Sequence, residues 1–434
     1  MSPLYRNDDP GTYPASWYAE TSDPGPQREP LRGEEKADVA IVGAGYTGLS
    51  AALALAERGM RVIVLEAHRA GFGASGRNGG QVSAGYNKDQ RWLEQRLGEG
   101  PARMLWDLGL EARDLTRSLV ADHAPEARFM PGVLHGAWGA KGAEEERRYG
   151  AWLAERYGYQ TQYLDQDAFR EICPSPVYSG GLLDMGSGHL HPLRLVLGLA
   201  HGAEAAGAVI HELSEVREVR TDGPRPVLRT AEGTVEAEHV ILAGNGYLPG
   251  LSRRYASRVM PINSFIAATE PLGEQADEVL RRDIAVADDK FVVNYFRLSE
   301  DKRLLFGGRE SYSIGYPKDI LTALRARMAR LFPGLRDAAI SHHWGGTLGI
   351  TMSRLPYLDR VAPGILAAGG FSGHGVALSL LSGRVMAEAV AGEKERFDTL
   401  STLPVPAFPG GPAFRAPLLT LAMTWYSLRD RFGI

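Results

Sequence analysis

Between residues 38 and 66 the pattern of apolar positions changes period twice. Val39, Ile41 and Val42 make a short β-branched run, a glycine turn interrupts it, small and apolar residues follow at helical spacing over 49–58, and a second apolar run covers 61–65. That order predicts strand, tight turn, helix and strand. Helical spacing returns over 89–123 (Trp92, Leu93, Leu97, Met104, Leu105, Leu108, Leu115, Leu119), with a break near 98–101. A strand over 132–138 and a charged amphipathic helix over 143–157 come next. Strand (181–184), helix (191–207) and strand (209–220) follow, and a further strand over 235–242 runs into Ala243 and Gly244. From 258 the pattern turns to spaced strands (262–269, 291–297, 304–309) closed by a helix over 321–331. Last, an apolar strand over 364–368, a glycine turn over 369–375 and a helix over 377–390 repeat the opening order.

The fold class this predicts is α/β, with a Rossmann-like nucleotide-binding domain and a second, α+β substrate domain built on a mixed or antiparallel sheet. The nucleotide-binding domain is expected to be discontinuous, over 38–88, 178–256 and 333–395, with the helical excursion and substrate domain over 89–177 and 257–332. Residues 1–37 read as a surface-packed arm carrying Tyr13, Trp17 and Tyr18, and 396–434 as a tail whose helix over 414–432 docks on its own protein.

The first turn holds Gly43, Gly45 and Gly48 in G-x-G-x-x-G spacing. In such a turn the first glycine permits the reversal, the second admits a pyrophosphate to the backbone, and the third lets helix and strand pack closely. With 52 glycines in 434 residues this spacing is expected by chance about 0.7 times. Gly71, Gly73 and Gly76 match it too, with no strand before and no helix after, so context and not the glycines makes the first match a nucleotide site. Glu66 stands 18 residues after Gly48, at the end of the second strand, where a carboxylate accepts from a ribose 2′-OH and disfavours a 2′-phosphate. The adenosine half is therefore that of FAD or NAD rather than NADP.

The totals narrow the classes. A net charge of −4 shows no basic excess for nucleic acid, and no run of about 18 apolar residues provides a spanning helix. Cys173 is the only cysteine, which leaves no intramolecular disulfide, thiolate cluster or C-x-x-C pair. It reads as buried filler. A polar, proline-rich N-terminus without an apolar core segment fits a cytoplasmic protein. His342, His343 and Trp344 lack carboxylates at ligand spacing, so no metal is assigned.

The segments VAIVGAGYTGLSAALALAERG, VLEAHRAGFGASGRNGGQ, AGNGY and AAGGFSGHGVALSLLSGRVMAEAV together resemble the FAD-dependent D-amino-acid oxidase superfamily. Within it, SGRNGGQ, WGGTLGITMSRLPYLDR and FRAPLLTLAMTWYSLRDR are similar to the gamma-glutamylputrescine oxidoreductase branch. The resemblance implies FAD, two domains and flavin-mediated oxidation of an amine C–N bond. It places Gly43, Gly45, Tyr46, Thr47 and Gly48 at the pyrophosphate, and Glu66 and Ala67 at the ribose. Gly73, Ala74, Ser75, Arg77, Asn78, Gly79, Gly80 and Gln81 run beside the ribityl chain and ring. Val216, Ala243 and Gly244 fall near adenine, and Gly373, His374, Gly375 and Val376 at the pyrimidine end.

Two departures shape the expectation. Relatives with covalent flavin use a cysteine near WGGTLG or a histidine in the first loop; here Gly345-Gly346-Thr347 and Gly79-Gly80 stand there, which implies non-covalent FAD. Monomeric sarcosine oxidases carry a lysine just after the GHG turn, where this chain has Ala377, which disfavours glycine or sarcosine. Catalytic candidates are His374, beside the reduced flavin's anionic edge, and Arg309 and Tyr312, which with Tyr295 offer a glutamyl carboxylate partner and the walls of an amine channel. Against these stand the plainer readings of a turn that contacts through backbone N–H groups and of ordinary sheet residues. Arg77 and Asn78 are read as cofactor contacts in preference to loop braces. The expected partners are a small-molecule amine and O2 or another electron acceptor, the oligomeric state being left open. A quinone-linked dehydrogenase and a non-catalytic flavin-binding protein are the competing readings.

Overall fold

The computed structural model describes residues 3–410 apart from 249, 291, 312 and 314, and leaves the side chains of 3 and 309 undescribed. Its first sheet is built on Gly33–Val42, whose last residues are fully buried because both faces are covered. The order is Tyr357–Ala362, Ile365–Gly369, Gly233–Leu242, Gly33–Val42, Val62–Leu65, Val209–His211, parallel except for the first pair. Helix Tyr46–Ala56 leaves the central strand through Gly43, at φ +104°, and starts three residues earlier than the sequence pattern suggests. Helix Gly375–Val390 lies against it. Both start at the carboxyl end of the parallel strands, the position where ligands bind in open α/β sheets.

The second sheet has nine strands, in the order Ile340–Ile350, Met260–Thr269, Leu304–Ser311, Tyr295–Leu298, Ala285–Asp288, Met130–Trp138, Tyr178–His189, Gln81–Val82, with Gln162–Asp165 paired to Tyr178–His189. It is antiparallel but for Ala285–Asp288 on Met130–Trp138. Helix Gly139–Tyr157 packs on this sheet, whereas helix Glu99–His123 packs against helix Gly375–Val390 and shares the core of the first half. The break in the long helical stretch falls at Gly98, at φ +88°, and Pro101 continues the following helix from its first turn.

Several expectations are corrected. Residues 178–189 and 340–350 belong to the second sheet, because Tyr178–His189 pairs along its length with Met130–Trp138 and Ile340–Ile350 with Met260–Thr269. The single strand over 209–220 is two strands, Val209–His211 and Glu218–Arg220. Leu213 takes φ +50° between them, and the amides of Leu213 and Ser214 turn to the carbonyls of His68 and Glu66. Ala285–Asp288, four residues with no alternation of its own, went unforeseen. The expected docking of 414–432 lies outside the described residues.

The N-terminal arm runs largely over the surface, but two of its aromatic residues enter the core. Ser16 caps a short helix, Trp17–Glu20, and Trp17 and Tyr18 are 2% and 0% exposed. The Tyr18 ring packs against Trp344 and His191, and its hydroxyl meets Arg297, whose Nε donates to the Gly79 carbonyl. A surface-packed residue truncated to alanine costs at most about 0.5 kcal/mol. Tyr18→Ala is expected to cost about 3–5 kcal/mol, the range for large buried aromatics. Thermal or denaturant unfolding of the variant measures this.

Candidate functional site

One cavity of about 1150 Å³ runs between the two sheets, larger than the roughly 300–1,000 Å³ typical of ligand clefts. Every residue expected to touch the cofactor lines it except Gly48 and Gly80. Those two serve packing. A Cβ on Gly48 would stand 1.9 Å from the Gly43 carbonyl oxygen, and one on Gly80 2.1 Å from that of Leu190.

Two helix N-termini open on this cavity. Gly45 and His374 occupy the cap positions of Tyr46–Ala56 and Gly375–Val390, and neither supplies a side-chain cap. First-turn N–H groups and the positive helix ends are thus left for an anion. Ser75 Oγ accepts from the Tyr46 amide at 3.0 Å, which ties the second loop to the glycine turn. A Cβ on Gly45 would approach that same oxygen to 2.8 Å, so the close approach requires glycine.

Glu66 closes the adenosine end. Its Oε2 accepts from the Ala44 amide at 2.8 Å and its Oε1 from His68 at 2.9 Å. Burial raises its carboxyl against these two amides, which favour the ionised form. Each oxygen retains a lone pair for a ribose hydroxyl. Beside it, His68 Nδ1 accepts from the Gly11 amide, so Nε2 carries the proton donated to the Leu4 carbonyl. Burial pushes this imidazole down to about 4, consistent with the neutral form. Leu4 itself lines the cavity, so the arm closes over the nucleotide end.

Arg77 and Asn78 line the cavity and also brace the loop, and Arg77 Nη2 is buried with no partner among the described residues. Arg77 Nε donates to the Phe72 carbonyl at 2.6 Å, and Nη1 bonds Asp8 and the Gly345 carbonyl. The guanidinium lies over the Phe72 ring at 4.2 Å. A charge buried this far needs fixed partners, and the loop and arm provide them. Asn78 bonds the Ala74 and Ser75 carbonyls and accepts from the Gly80 amide. Gln81 donates to the Val286 carbonyl in the second sheet.

His374 lines the cavity with Nε2 buried and without a protein partner. Burial holds its imidazole down at about 4, so it is neutral at pH 7 and what the turn presents is N–H groups rather than a cation. Tyr295 also lines the cavity; its ring stands where a Cβ on Gly79 or Gly307 would go, and its hydroxyl lies 3.3 Å from Ser264 Oγ. Arg309 sits on its strand opposite Phe265 with its side chain undescribed, and Tyr312 lies outside the described residues. Cys173 is buried in the second core cluster, its thiol pushed up to about 12. His342 pairs with Glu20, and no group of metal-binding side chains occurs among the described residues. Sequence reasoning missed Tyr86, Trp106, His135, Glu146, Tyr149, Tyr159 and Asp184, all on the cavity wall.

A glycine-lined cradle at two helix ends, a carboxylate at the second strand and a cavity between two sheets define a dinucleotide-dependent oxidoreductase. The family described as FAD dependent oxidoreductase matches residues 38–389, and the chain belongs to it. Its cofactor is FAD. Probable oxidoreductase OrdL of Rhizobium meliloti is 42% identical over 96% of this chain and 97% of its own length. Gamma-glutamylputrescine oxidoreductase of Escherichia coli is 39% identical over 97% and 99%. Among solved structures, glycine oxidase from Geobacillus kaustophilus superposes with a TM-score of 0.71 at 26% identity, over 83% of this chain and 95% of that one. No helix among the described residues is long and apolar enough to cross a membrane.

Gly79-Gly80 and Gly345-Gly346-Thr347 offer no cysteine or histidine to the ring, and Cys173 is remote in the core. Acid precipitation of the holoprotein is expected to leave all the yellow flavin in the supernatant; flavin retained in the pellet overturns non-covalent binding. Glu66→Ala removes the acceptor of two amides as well as the ribose partner, and is expected to weaken FAD binding about tenfold or more. Reconstitution of the apoprotein, followed by flavin fluorescence, reads that loss.

Proposed function

We propose that this chain oxidises the primary amine of gamma-glutamylputrescine or a related gamma-glutamylated polyamine, in cytoplasmic polyamine catabolism. The observation that carries the substrate is the near-full-length identity to the Escherichia coli gamma-glutamylputrescine oxidoreductase. Bound FAD supplies the two-electron acceptor for the C–N bond, the imine hydrolysing to aldehyde and ammonia and the electrons passing to O2 to give H2O2.

The chain's own residues divide the remaining work. Gly43, Gly45, Tyr46 and Thr47 hold the pyrophosphate with backbone N–H groups, and Glu66 the ribose. Ser75, Gly79 and Gln81 flank the ribityl chain and ring, and Arg77 and Asn78 keep that loop in shape. The turn Gly373 to Val376, with the helix N-terminus behind it, favours negative charge at the pyrimidine end. Tyr295, packed on Gly79 in the cavity wall, would help to exclude water from the site. Ala377, where a lysine holds the carboxylate of a small amino acid in sarcosine oxidases, is 3% exposed and apolar, which supports a longer amine.

Anaerobic mixing of the holoprotein with gamma-glutamylputrescine, putrescine, glycine and sarcosine tests this. The flavin band near about 450 nm is expected to bleach with the glutamylated amine. Bleaching by glycine or sarcosine instead moves the protein to the small-amino-acid oxidases.

A further inference from the structure

Besides the cofactor residues, the cavity is lined by a second set that forms a chamber wall: Trp106 of helix Glu99–His123, Glu146, Tyr149 and Leu153 of helix Gly139–Tyr157, and His135 and Leu182 of the second sheet. Glu146, Tyr149 and Leu153 line it and are spaced i, i+3 and i+7 on one helix, so they share a face. Along that face they span about 10 Å, enough for an extended chain.

Two independent features describe an occupant. Trp106 is 4% exposed and Tyr86 6%, both line the cavity, and neither Trp106 Nε1 nor Tyr86 Oη has a partner in the protein. A buried indole N–H is a donor only, so what satisfies it must bring an acceptor. The second feature is charge. Asp89 and Glu145 both pair with Arg91, at 2.6 and 2.8 Å, and Asp184 is held by Tyr159, Ser187 and the Gly186 amide. Glu146 makes no hydrogen bond or ion pair among the described residues. Burial pushes its carboxyl up to about 7, with Asp289, Asp89 and Glu145 adding to the rise and Arg91 opposing it. A cation arriving beside it restores the ionised form.

We propose that this chamber selects the distal half of the amine substrate, Trp106 Nε1 donating to an amide or similar carbonyl and Glu146 pairing with a distal ammonium. The substrate class is then a primary amine with a polar acyl arm that carries a distal ammonium, in gamma-glutamylputrescine the α-ammonium beside an α-carboxylate, and the aromatic walls of Trp106, Tyr149 and Tyr159 suit that cation further. The assignment rests on the amine-oxidation reading above.

Stopped-flow flavin reduction without oxygen tests it on the wild-type holoenzyme, Glu146→Gln and Trp106→Phe. The amines are gamma-glutamylputrescine, its N-glutaryl analogue lacking the ammonium, and butylamine lacking both groups. Glu146→Gln is expected to raise Kd for the glutamylated amine about tenfold or more, leaving the other two amines, the limiting reduction rate and the flavin content unchanged. Trp106→Phe is expected to raise Kd for both amides and not for butylamine. Equal shifts for all three amines, or none, overturn the chamber assignment. If no amine bleaches the flavin, amine oxidation itself fails. The same Kd series, read from perturbation of the oxidised flavin spectrum, then judges the chamber by the same two outcomes.

Discussion

Backbone touching backbone is the constraint from which the rest of the molecule follows. Helix Tyr46–Ala56 is held between its own strand and helix Gly375–Val390 without side chains intervening: a Cβ on Gly48 would meet the Gly43 carbonyl at 1.9 Å, and one on Gly383 the Thr47 carbonyl at 2.2 Å. Such contact fixes both helices to within a fraction of an ångström, since overpacked interiors do not yield smoothly. Because of it, two positive helix ends converge on one cavity from segments more than 300 residues apart.

The two halves of the cavity are built by different means. At the cofactor end the contacts are backbone amides, glycines and one carboxylate, and the side chains nearby mostly hold loops in place. In the chamber the wall is made of long side chains from two helices. A cofactor that does not change calls for the first kind of construction, and a substrate that differs between relatives calls for the second. The 26% identity to glycine oxidase alongside a TM-score of 0.71 fits that division, with a shared scaffold and diverged side chains.

The glycine turn and the strand before it were legible because steric exclusion is local: Gly43 at φ +104° needs no distant information. The elements around Glu66 and the GHG turn could be placed for the same reason. What eluded the sequence depends on pairing. Residues 178–189 read as one more strand of the first sheet until their register with Met130–Trp138 assigns them to the second. The bracing partners of Arg77 could not be read locally, since Asp8 and the Gly345 carbonyl lie 69 residues before and 268 after it. Glu146 reads as one charge among many on an amphipathic helix, and only the fold shows that its face is turned inward without a counter-ion. The arm's aromatic residues were visible, but nothing local tells a docked tyrosine from a buried one.

The arm also bears on the order in which contacts form. Asn7 bonds the Tyr316 amide, Asp8 pairs with an arginine bonded to Gly345, and Glu20 meets His342. Residues 7–20 therefore settle fully only when residues 316–345 are in place to receive them. Loops of this length close slowly on the entropic scale that governs folding. Closure of the arm is in this way placed late by topology, with no device needed beyond the distance along the sequence between one end of the arm and its anchor.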